Sequence, residues 1–277
     1  MTLIPGLPEG RYVDLPNGHR IHCLDQGQGP VVVFLHGSGS GASGHSNFSG
    51  NYPWLAEQGY RVIVPDLLGY GYSDKPDDVQ YHLDLFVECL QQALDALGVQ
   101  RCTLIGNSLG GAIALKFALD HPRQVERMVL MAPGGIEAQA DYFTMPGMQL
   151  MRSVFTSEEP VTPERMRDFF IDAFVVDASV VTNELVQQRW ASMQTQNPQV
   201  IKTMVVPDMT PRLGEIDCPV LSFWGMNENM MPETGILKLA HGLTRGRMVL
   251  VQQCGHWVMI EHRDLFNRLT LDFLRHG

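Results

Sequence analysis

Short apolar runs alternate along most of the chain with longer stretches of helical periodicity. The apolar runs have the length and the β-branched or aliphatic content of buried strands: Val31–Leu35, Arg61–Val64, Cys102–Ile105, Met128–Met131, Val220–Trp224 and Met248–Val251. The stretches between them that fit helices are Leu83–Leu97, Leu109–Leu119, Ile236–Ala240 and Leu265–Leu274. This alternation predicts the α/β class, with a mostly parallel sheet that is covered by helices on both faces.

A hairpin is predicted ahead of these strands. Arg11–Leu15 and Arg20–Gln26 both alternate between apolar and polar residues, and the Pro16–His19 segment between them contains the Asn-Gly pair of a tight turn.

The alternation stops between Ile136 and Met209. This segment is rich in Met, Phe and Gln, and Thr162 and Thr182 each precede a sequence typical of a helix start. We therefore expect residues 1–135 and 210–277 to form the α/β core. Residues 136–209 should form a helical lid over one end of the sheet.

Composition excludes several classes of partner. The 277 residues are 44% hydrophobic and 18% charged, as in a folded globular protein, and the net charge is −10. A nucleic acid or an anionic membrane surface requires a basic face, so the charge argues against both. An anionic small-molecule substrate would need a local Lys or Arg.

The cysteines and the N-terminus favour a soluble cytoplasmic protein. The five cysteines are odd in number and include no Cys-x-x-Cys, which argues against a disulfide framework and a structural zinc site. The N-terminus has no basic start followed by an apolar stretch, and no run reaches the ~20 apolar residues of a membrane span. No metal or organic cofactor is expected, since no cluster of metal ligands is visible.

The most specific chemical motif is Gly106–Gly110, which reads Gly-Asn-Ser-Leu-Gly between a predicted strand and a predicted helix. In this context Gly-x-Ser-x-Gly is typical of a nucleophile elbow, a tight turn that exposes the serine hydroxyl. The following helix directs its N-terminal amides at the same place, where they stabilise developing negative charge. Ser108 is therefore the candidate nucleophile.

A serine nucleophile needs a base and an acid, which follow it in the order acid and then histidine in this type of architecture. His256 comes just after the last predicted strand, and Glu228 is the carboxylate that follows the preceding strand. Glu228 can accept the imidazole N–H and hold its tautomer. Asn227 could orient the ring without stabilising its charge, and Glu137 is a second candidate for the acid.

A glycine-rich loop follows the strand Val31–Leu35. Gly39–Gly44 formally matches the Gly-x-Gly-x-x-Gly pattern of dinucleotide binding, but residues 45–51 are a poor helix sequence, and that pattern needs a helix there. The favoured interpretation is an oxyanion loop. The backbone amides near Ser38 and of Leu109 would then face the substrate oxygen.

With these motifs in place, the sequence resembles the α/β-hydrolase superfamily along its whole length. Within it, the chain is similar to the meta-cleavage-product hydrolases of bacterial aromatic and steroid degradation. The matching stretches are His36–Gly39 with Gly41 and Ala42, Ser46–Phe48, Gly106–Gly111, Gly255–Trp257 with Glu261 and His262, and Phe174 and Arg189 of the insertion. One departure is Glu228, because the family usually has Asp there.

The resemblance implies a reaction and a set of roles. Family members ketonise a 2-hydroxy-6-oxo-hexa-2,4-dienoate and then cleave its C5–C6 bond by attack of the serine, or of an activated water, on the C6 carbonyl. Arg189 would pair with the substrate carboxylate, as suits a planar guanidinium. The remaining contacts implied for the substrate are those of Asn47, Asn107, Trp257 and Phe174. Homodimers or larger assemblies are common in the family.

Two other functions stay open at this stage. A carboxylesterase or lactonase could use the same scaffold, although a neutral ester has no use for a buried cation. A small-molecule sensor with little turnover is the other, suggested by Glu228 in place of Asp. The Met and Phe content of the insertion indicates an apolar pocket for the C6 substituent, which could be phenyl, alkyl or steroid-derived.

Overall fold

The computed structural model describes residues 4–277, so the first three residues of the predicted core lie outside the described part. Eight strands form one sheet: β1 (Arg11–Asp14), β2 (Arg20–Gln26), β3 (Val31–Leu35), β4 (Arg61–Pro65), β5 (Cys102–Asn107), β6 (Val125–Met131), β7 (Val220–Gly225) and β8 (Gly246–Val251). Their order across the sheet is β1-β2-β4-β3-β5-β6-β7-β8. Every predicted strand is present, with ends that differ by a few residues.

The pairing is antiparallel only at the N-terminal edge. β1 pairs with β2, and β2 with β4, in antiparallel fashion. The six strands β4, β3, β5, β6, β7 and β8 are parallel to one another. The predicted hairpin and the predicted mostly parallel sheet are both confirmed. Since parallel strands end at the same edge, the loops after β3, β5 and β7 meet there.

The predicted burial of the last strand is wrong. β8 lies at the edge of the sheet, and Leu250 is 49% exposed. The apolar run Met248–Val251 has the composition of a central strand, but an edge position covers it on one side only.

Twelve α-helices accompany the described strands: α1 (Gly44–Phe48), α2 (Tyr52–Glu57), α3 (Leu83–Ala96), α4 (Leu109–Asp120), α5 (Gln139–Tyr142), α6 (Pro146–Thr156), α7 (Pro163–Phe174), α8 (Asn183–Met193), α9 (Gln199–Thr203), α10 (Thr234–Gly242), α11 (Val258–Glu261) and α12 (Arg263–His276). Short 3₁₀ turns occur at Ala178–Val180 and Thr210–Glu215. Within residues 4–277, no helix combines the length and the apolar character that crossing a bilayer requires.

Helices α5–α9 all lie between β6 and β7, where no strand was predicted. The two predicted helix starts are confirmed, because Thr162 and Thr182 are the N-cap residues of α7 and α8. Each hydroxyl accepts a hydrogen bond from the backbone N–H three residues later, at 3.3 and 3.2 Å respectively. Such caps satisfy donors that a helix leaves free at its first turn.

The expectation that residues 45–51 would not be helical is wrong for residues 45–48, whereas residues 49–51 form a turn. Helix α1 begins at Gly44, behind a reciprocal cap in which Ser43 Oγ accepts from Ser46 N and Ser46 Oγ accepts from Ser43 N, both at 3.0 Å. This capping box outweighs the weak helix propensity of the residues that follow. The helix carries Asn47 into the interior, where it is 1% exposed.

Candidate active site

Ser108 occupies a tight turn between β5 and α4. Its backbone has φ 54° and ψ −115°, a conformation that a residue with a side chain seldom adopts. A Cβ on Gly106 would overlap the carbonyl of Gly110, and a Cβ on Gly110 would overlap the carbonyl of Leu35. The two glycines of the motif are therefore needed for the turn, and the turn leaves Ser108 bordering the main cavity.

His256 and Glu228 meet at the same edge of the sheet. His256 Nδ1 lies 2.7 Å from Glu228 Oε2, and both side chains are 3% exposed. The other carboxylate oxygen of Glu228 accepts from the backbone N–H of Met230 at 2.6 Å and of Met231 at 3.3 Å. The longer side chain of a glutamate thus reaches the imidazole, and the loop after β7 fixes its direction.

The two other candidates for the acid are placed differently. Glu137 is buried and binds Lys238 and Thr234, the latter at 2.6 Å. Asn227 is exposed, and its backbone N–H donates to Cys254 O at 2.9 Å. Glu228 is the carboxylate that the structure brings to His256.

The glycine-rich loop after β3 is held by His36. Its Nε2 accepts from Leu67 N at 3.0 Å, and its Nδ1 lies 2.8 Å from Gly37 O. Full burial lowers the pKa of His36 to about 4, so the ring is neutral and donates through Nδ1. The loop passes next to the elbow, since a Cβ on Gly37 would lie 3.3 Å from Ser108 Cβ. Ser38 and Leu109, the predicted oxyanion residues, border the same cavity.

Arg189 of α8 is a buried cation. The residue is 1% exposed, its Nη2 donates to Asn47 Oδ1 at 2.6 Å, and its Nε has no hydrogen-bond partner within the described residues. Its guanidinium carbon lies 5.0 Å from the centre of the Trp257 ring, at cation–π distance. Burial lowers the pKa of Arg189 to about 9, which still leaves a cation at neutral pH. A buried charge without a carboxylate partner is costly, which points to an anionic ligand.

A polar chain runs from this cation towards His256. Asn47 Nδ2 donates to Asn107 Oδ1 at 3.4 Å, and Asn107 Nδ2 approaches the His256 carbonyl oxygen at 3.5 Å. Phe174 stacks on the rings of Trp257 and His256, with centroids 4.4 and 5.5 Å apart. The buried guanidinium and the histidine are therefore linked through one set of packed side chains.

Most of these side chains face one cavity of about 180 Å³. It is lined by every site residue predicted from the sequence except Glu228, which lies behind His256: Ser38, Asn47, Asn107, Ser108, Leu109, Phe174, Arg189, His256 and Trp257. Among residues 4–277, no group of three or more His, Cys, Asp or Glu side chains could hold a metal ion. A serine hydroxyl on a tight turn, an imidazole with an oriented tautomer and a buried cation in one cavity can support acyl-transfer chemistry on a carboxylated substrate.

The structure adds Glu261, for which the sequence predicted no role. Its carboxylate accepts from Gly255 N and Asp177 N, both at 2.7 Å, and from Val176 N. It thereby joins the loop of His256 to the end of the segment that carries Phe174. Two of the three donors, the backbone N–H groups of Val176 and Asp177, lie 85 and 84 positions away along the chain, so the residues next to Glu261 give no signal for this contact.

The comparisons with known proteins agree with this geometry. Residues 30–167 match the family described as alpha/beta hydrolase fold, which is the class that the sheet and the elbow define. A 2-hydroxy-6-oxo-6-phenylhexa-2,4-dienoate hydrolase of Burkholderia cepacia is 38% identical, with 93% of this chain and 92% of that protein covered. A 2-hydroxy-6-oxononadienedioate/2-hydroxy-6-oxononatrienedioate hydrolase of Comamonas testosteroni is 36% identical, with the same coverage of 93% and 92%.

A solved structure gives the same result. The meta-cleavage product hydrolase of Pseudomonas fluorescens IP01, solved as a serine-to-alanine variant with acetates, has a TM-score of 0.84 and 28% identity. The match covers 96% of this chain and 98% of that one. The chain belongs to the meta-cleavage-product hydrolases of the α/β-hydrolase superfamily.

Proposed function

We propose that this protein hydrolyses the C5–C6 carbon–carbon bond of a 2-hydroxy-6-oxo-hexa-2,4-dienoate in the catabolism of an aromatic or steroid compound. The observation that carries the proposal is Arg189, a buried cation that lines the cavity of Ser108 and His256 and has no carboxylate partner among residues 4–277. The carboxylate of a dienoate would supply the missing charge. The names of the relatives support the same substrate class.

Each predicted residue has a role in this reaction. Arg189 binds the substrate carboxylate, and Asn47 and Asn107 hydrogen-bond the carboxylate and 2-oxo end. Phe174 and Trp257 form the walls beside the dienoate. Ser108, His256 and Glu228 form the catalytic triad, in which Glu228 orients the imidazole and stabilises its cationic form.

The reaction proceeds in two stages. The 2-hydroxydienoate first becomes its keto tautomer, as the hydroxyl proton is lost and C5 gains one. Ser108, or a water activated through His256, then attacks C6, and the amides of Ser38 and Leu109 stabilise the oxyanion. The C5–C6 bond breaks and C5 leaves as a dienolate. Overall one water is consumed, giving a carboxylic acid and a 2-hydroxydienoate.

An esterase or lactonase activity is the second candidate, since the same triad would cleave a neutral ester. Arg189 argues against it, because a neutral ester leaves the buried cation unpaired. The idea of a low-turnover sensor depended on Glu228 in place of Asp. The 2.7 Å contact between Glu228 and His256 argues against this hypothesis, because the glutamate reaches the imidazole.

The organisation of the whole protein is part of the proposal. Residues 1–135 and 210–277 would form the core, and residues 136–209 a lid, because α6, α8 and the residues after α9 contribute to the cavity wall. We place the enzyme in the cytoplasm, which the cysteine pattern favours, as a homodimer or larger homo-oligomer, which the family resemblance implies. Sedimentation velocity of the purified protein tests the assembly.

A spectrophotometric assay tests the reaction. A 6-phenyl-2-hydroxy-6-oxo-hexa-2,4-dienoate is coloured, and cleavage removes the colour. Wild type should bleach it and release benzoate, whereas Ser108→Ala should be slower by several orders of magnitude. Cleavage of a neutral aryl ester without any cleavage of dienoates would move the assignment to an esterase.

A further inference from the structure

The wall of the cavity that is not assigned to the dienoate is rich in methionine. Met148 and Met151 come from α6, Met204 follows α9, and Met230 and Met231 follow β7. The rim has the same character, because Phe143 and Ile201 border the cavity and are 53% and 47% exposed. A substrate would therefore meet apolar side chains both at the entrance and along this wall.

Positive charge is confined to the other part of the cavity. Of the described residues that line it, Arg189 is the permanent cation, and this guanidinium is held by Asn47 and Trp257. Lys238, which does not line the cavity, binds the buried carboxylate of Glu137. Arg152 and Lys202, the charged neighbours of the methionine-rich wall in sequence, are exposed to solvent. Arg189 can therefore balance the charge of one substrate carboxylate, and a second carboxylate on the substrate would have no cation to pair with in the described lining.

The polar side chains along this wall carry no positive charge: Gln139 is exposed to solvent, and Tyr142 is buried. The hydroxyl of Tyr142 accepts from the backbone N–H groups of Ile136 and Glu137, both at 3.1 Å. A carboxylate placed here would lose its hydration and gain no cation in return, which is strongly unfavourable. An aryl or alkyl group would gain from the same surroundings.

We propose that the enzyme selects dienoates whose C6 substituent is uncharged and apolar, and that it discriminates against substrates with a second carboxylate on that substituent. This inference rests on the proposed function and deepens it. Relatives named for a phenyl substrate and for a dicarboxylate substrate are similarly identical to this chain, at 38% and 36%. Overall identity thus does not choose between the two substrates, whereas the charge of the cavity wall does.

Methionine side chains also affect how narrow the selection is. They are unbranched and polarisable, and they adapt to the shape of a ligand. Phenyl and alkyl substituents should therefore be accepted with similar efficiency. The charge of the C6 substituent should therefore affect kcat/KM more than its shape does.

The experiment compares kcat/KM for the 6-phenyl dienoate and for 2-hydroxy-6-oxononadienedioate on wild-type enzyme. The phenyl substrate should be preferred by at least about 100-fold. Equal efficiency, or a preference for the dicarboxylate, would overturn the inference while leaving the carbon–carbon hydrolase assignment in place. If neither substrate is cleaved in a manner that depends on Ser108, the proposed function fails and this inference fails with it.

Variants that introduce a positive charge into the cavity wall provide a second test of the proposed selectivity. Met148→Lys and Met151→Lys, both at half-buried positions, should each raise the ratio of dicarboxylate to phenyl efficiency at least about 10-fold. Gln149→Lys adds the same charge at an exposed position of α6 outside the cavity lining, and its ratio should equal that of wild type. The ratio does not depend on the amount of folded enzyme. An unchanged ratio in both methionine variants, with thermal unfolding like that of wild type, would also overturn the inference.

Discussion

At the scale of single residues, the candidate site contains two buried charged side chains that differ in how fully their polar atoms are hydrogen-bonded. Glu228 has partners for both carboxylate oxygens, namely the imidazole of His256 and the backbone of Met230 and Met231. Arg189 has one side-chain acceptor, Asn47, and an Nε without a partner in the described part of the chain. In the proposed reaction, the first arrangement would fix the direction of the catalytic imidazole, and the second would leave a positive charge for the substrate carboxylate to neutralise.

Substitution of Glu228 tests the reach of the acid. Glu228→Gln should lower kcat by about 10²–10⁴-fold, because an amide does not stabilise the charged imidazole. Glu228→Asp should also lower kcat, by at least about 10-fold, since the shorter side chain withdraws the carboxylate from a 2.7 Å contact. Both are measured by single-turnover bleaching on folded protein. Wild-type rates in Glu228→Gln would contradict the triad assignment.

Substitution of Arg189 tests the anion site through both function and stability. Arg189→Met should raise KM for the dienoate by about 100-fold or more and leave cleavage of a neutral aryl ester nearly unchanged. It should also raise the free energy of unfolding by about 1–2 kcal/mol, because a buried cation without a full set of partners is removed. Urea denaturation measures the second effect. Equal losses on both substrates, or a lower stability, would argue against a carboxylate clamp.

At the scale of elements, the site is assembled where strand ends meet helices of the 136–209 segment. The loops after β3, β5 and β7 supply Ser38, Ser108 and Glu228, and α8 supplies Arg189. The close approach of α8 depends on Gly41, whose Cβ would overlap the carbonyl oxygen of Arg189. Gly41 has φ 68°, so its conformation also favours glycine.

Gly41→Ala therefore should displace α8. We expect KM for the dienoate to rise at least about 10-fold, because Arg189 moves away from its position beside Asn47. Gly18→Ala is a matched control: its φ is 88°, but a Cβ there would meet nothing within 4 Å. The control should lose about 1 kcal/mol of stability from backbone strain and keep the wild-type KM. Similar KM values in the two variants would show that α8 does not depend on this contact.

At the scale of the whole molecule, one buried histidine beside the candidate site, His36, makes the stability of the fold depend on pH. His36 holds the loop after β3 in its neutral form, and burial keeps its pKa at about 4, compared with an ordinary value of 6.5. Between these two pH values the unfolded chain binds a proton that the folded protein does not. Stability therefore falls as the pH falls from 6.5 towards 4.

The pH dependence of unfolding measures this linkage. Between pH 7 and pH 5, this residue should remove about 2 kcal/mol from the free energy of unfolding of the wild type. The His36→Asn variant has no titrating ring at this position. Between pH 7 and pH 5, its free energy of unfolding should therefore fall by about 2 kcal/mol less than that of the wild type. Urea denaturation at the two pH values provides the comparison. Parallel pH dependence in the two proteins would contradict a neutral His36.

Much of the fold was predictable because its signals are local. Strand–turn–helix contexts placed Ser108, and the threonine caps placed the starts of α7 and α8. Two predictions were wrong because the position in the sheet, or a helix cap, had more influence than the residue composition of the segment. The run Met248–Val251 has the residues of a central strand and lies at the edge. Residues 45–48 are helical because Ser43 and Ser46 cap each other at the start of α1.

The sequence by itself determined the sheet, the elbow and the types of residue around it, since these depend on neighbours a few positions apart. Only the tertiary structure decided that Arg189 is buried rather than on a helix surface, because its acceptor Asn47 lies 142 positions away. The same holds for the reach of Glu228 to His256, 28 positions along the chain, and for the absence of a second cation on the methionine-rich wall among the described cavity residues. Burial and charge balance are properties of packed surroundings, which distant segments create together.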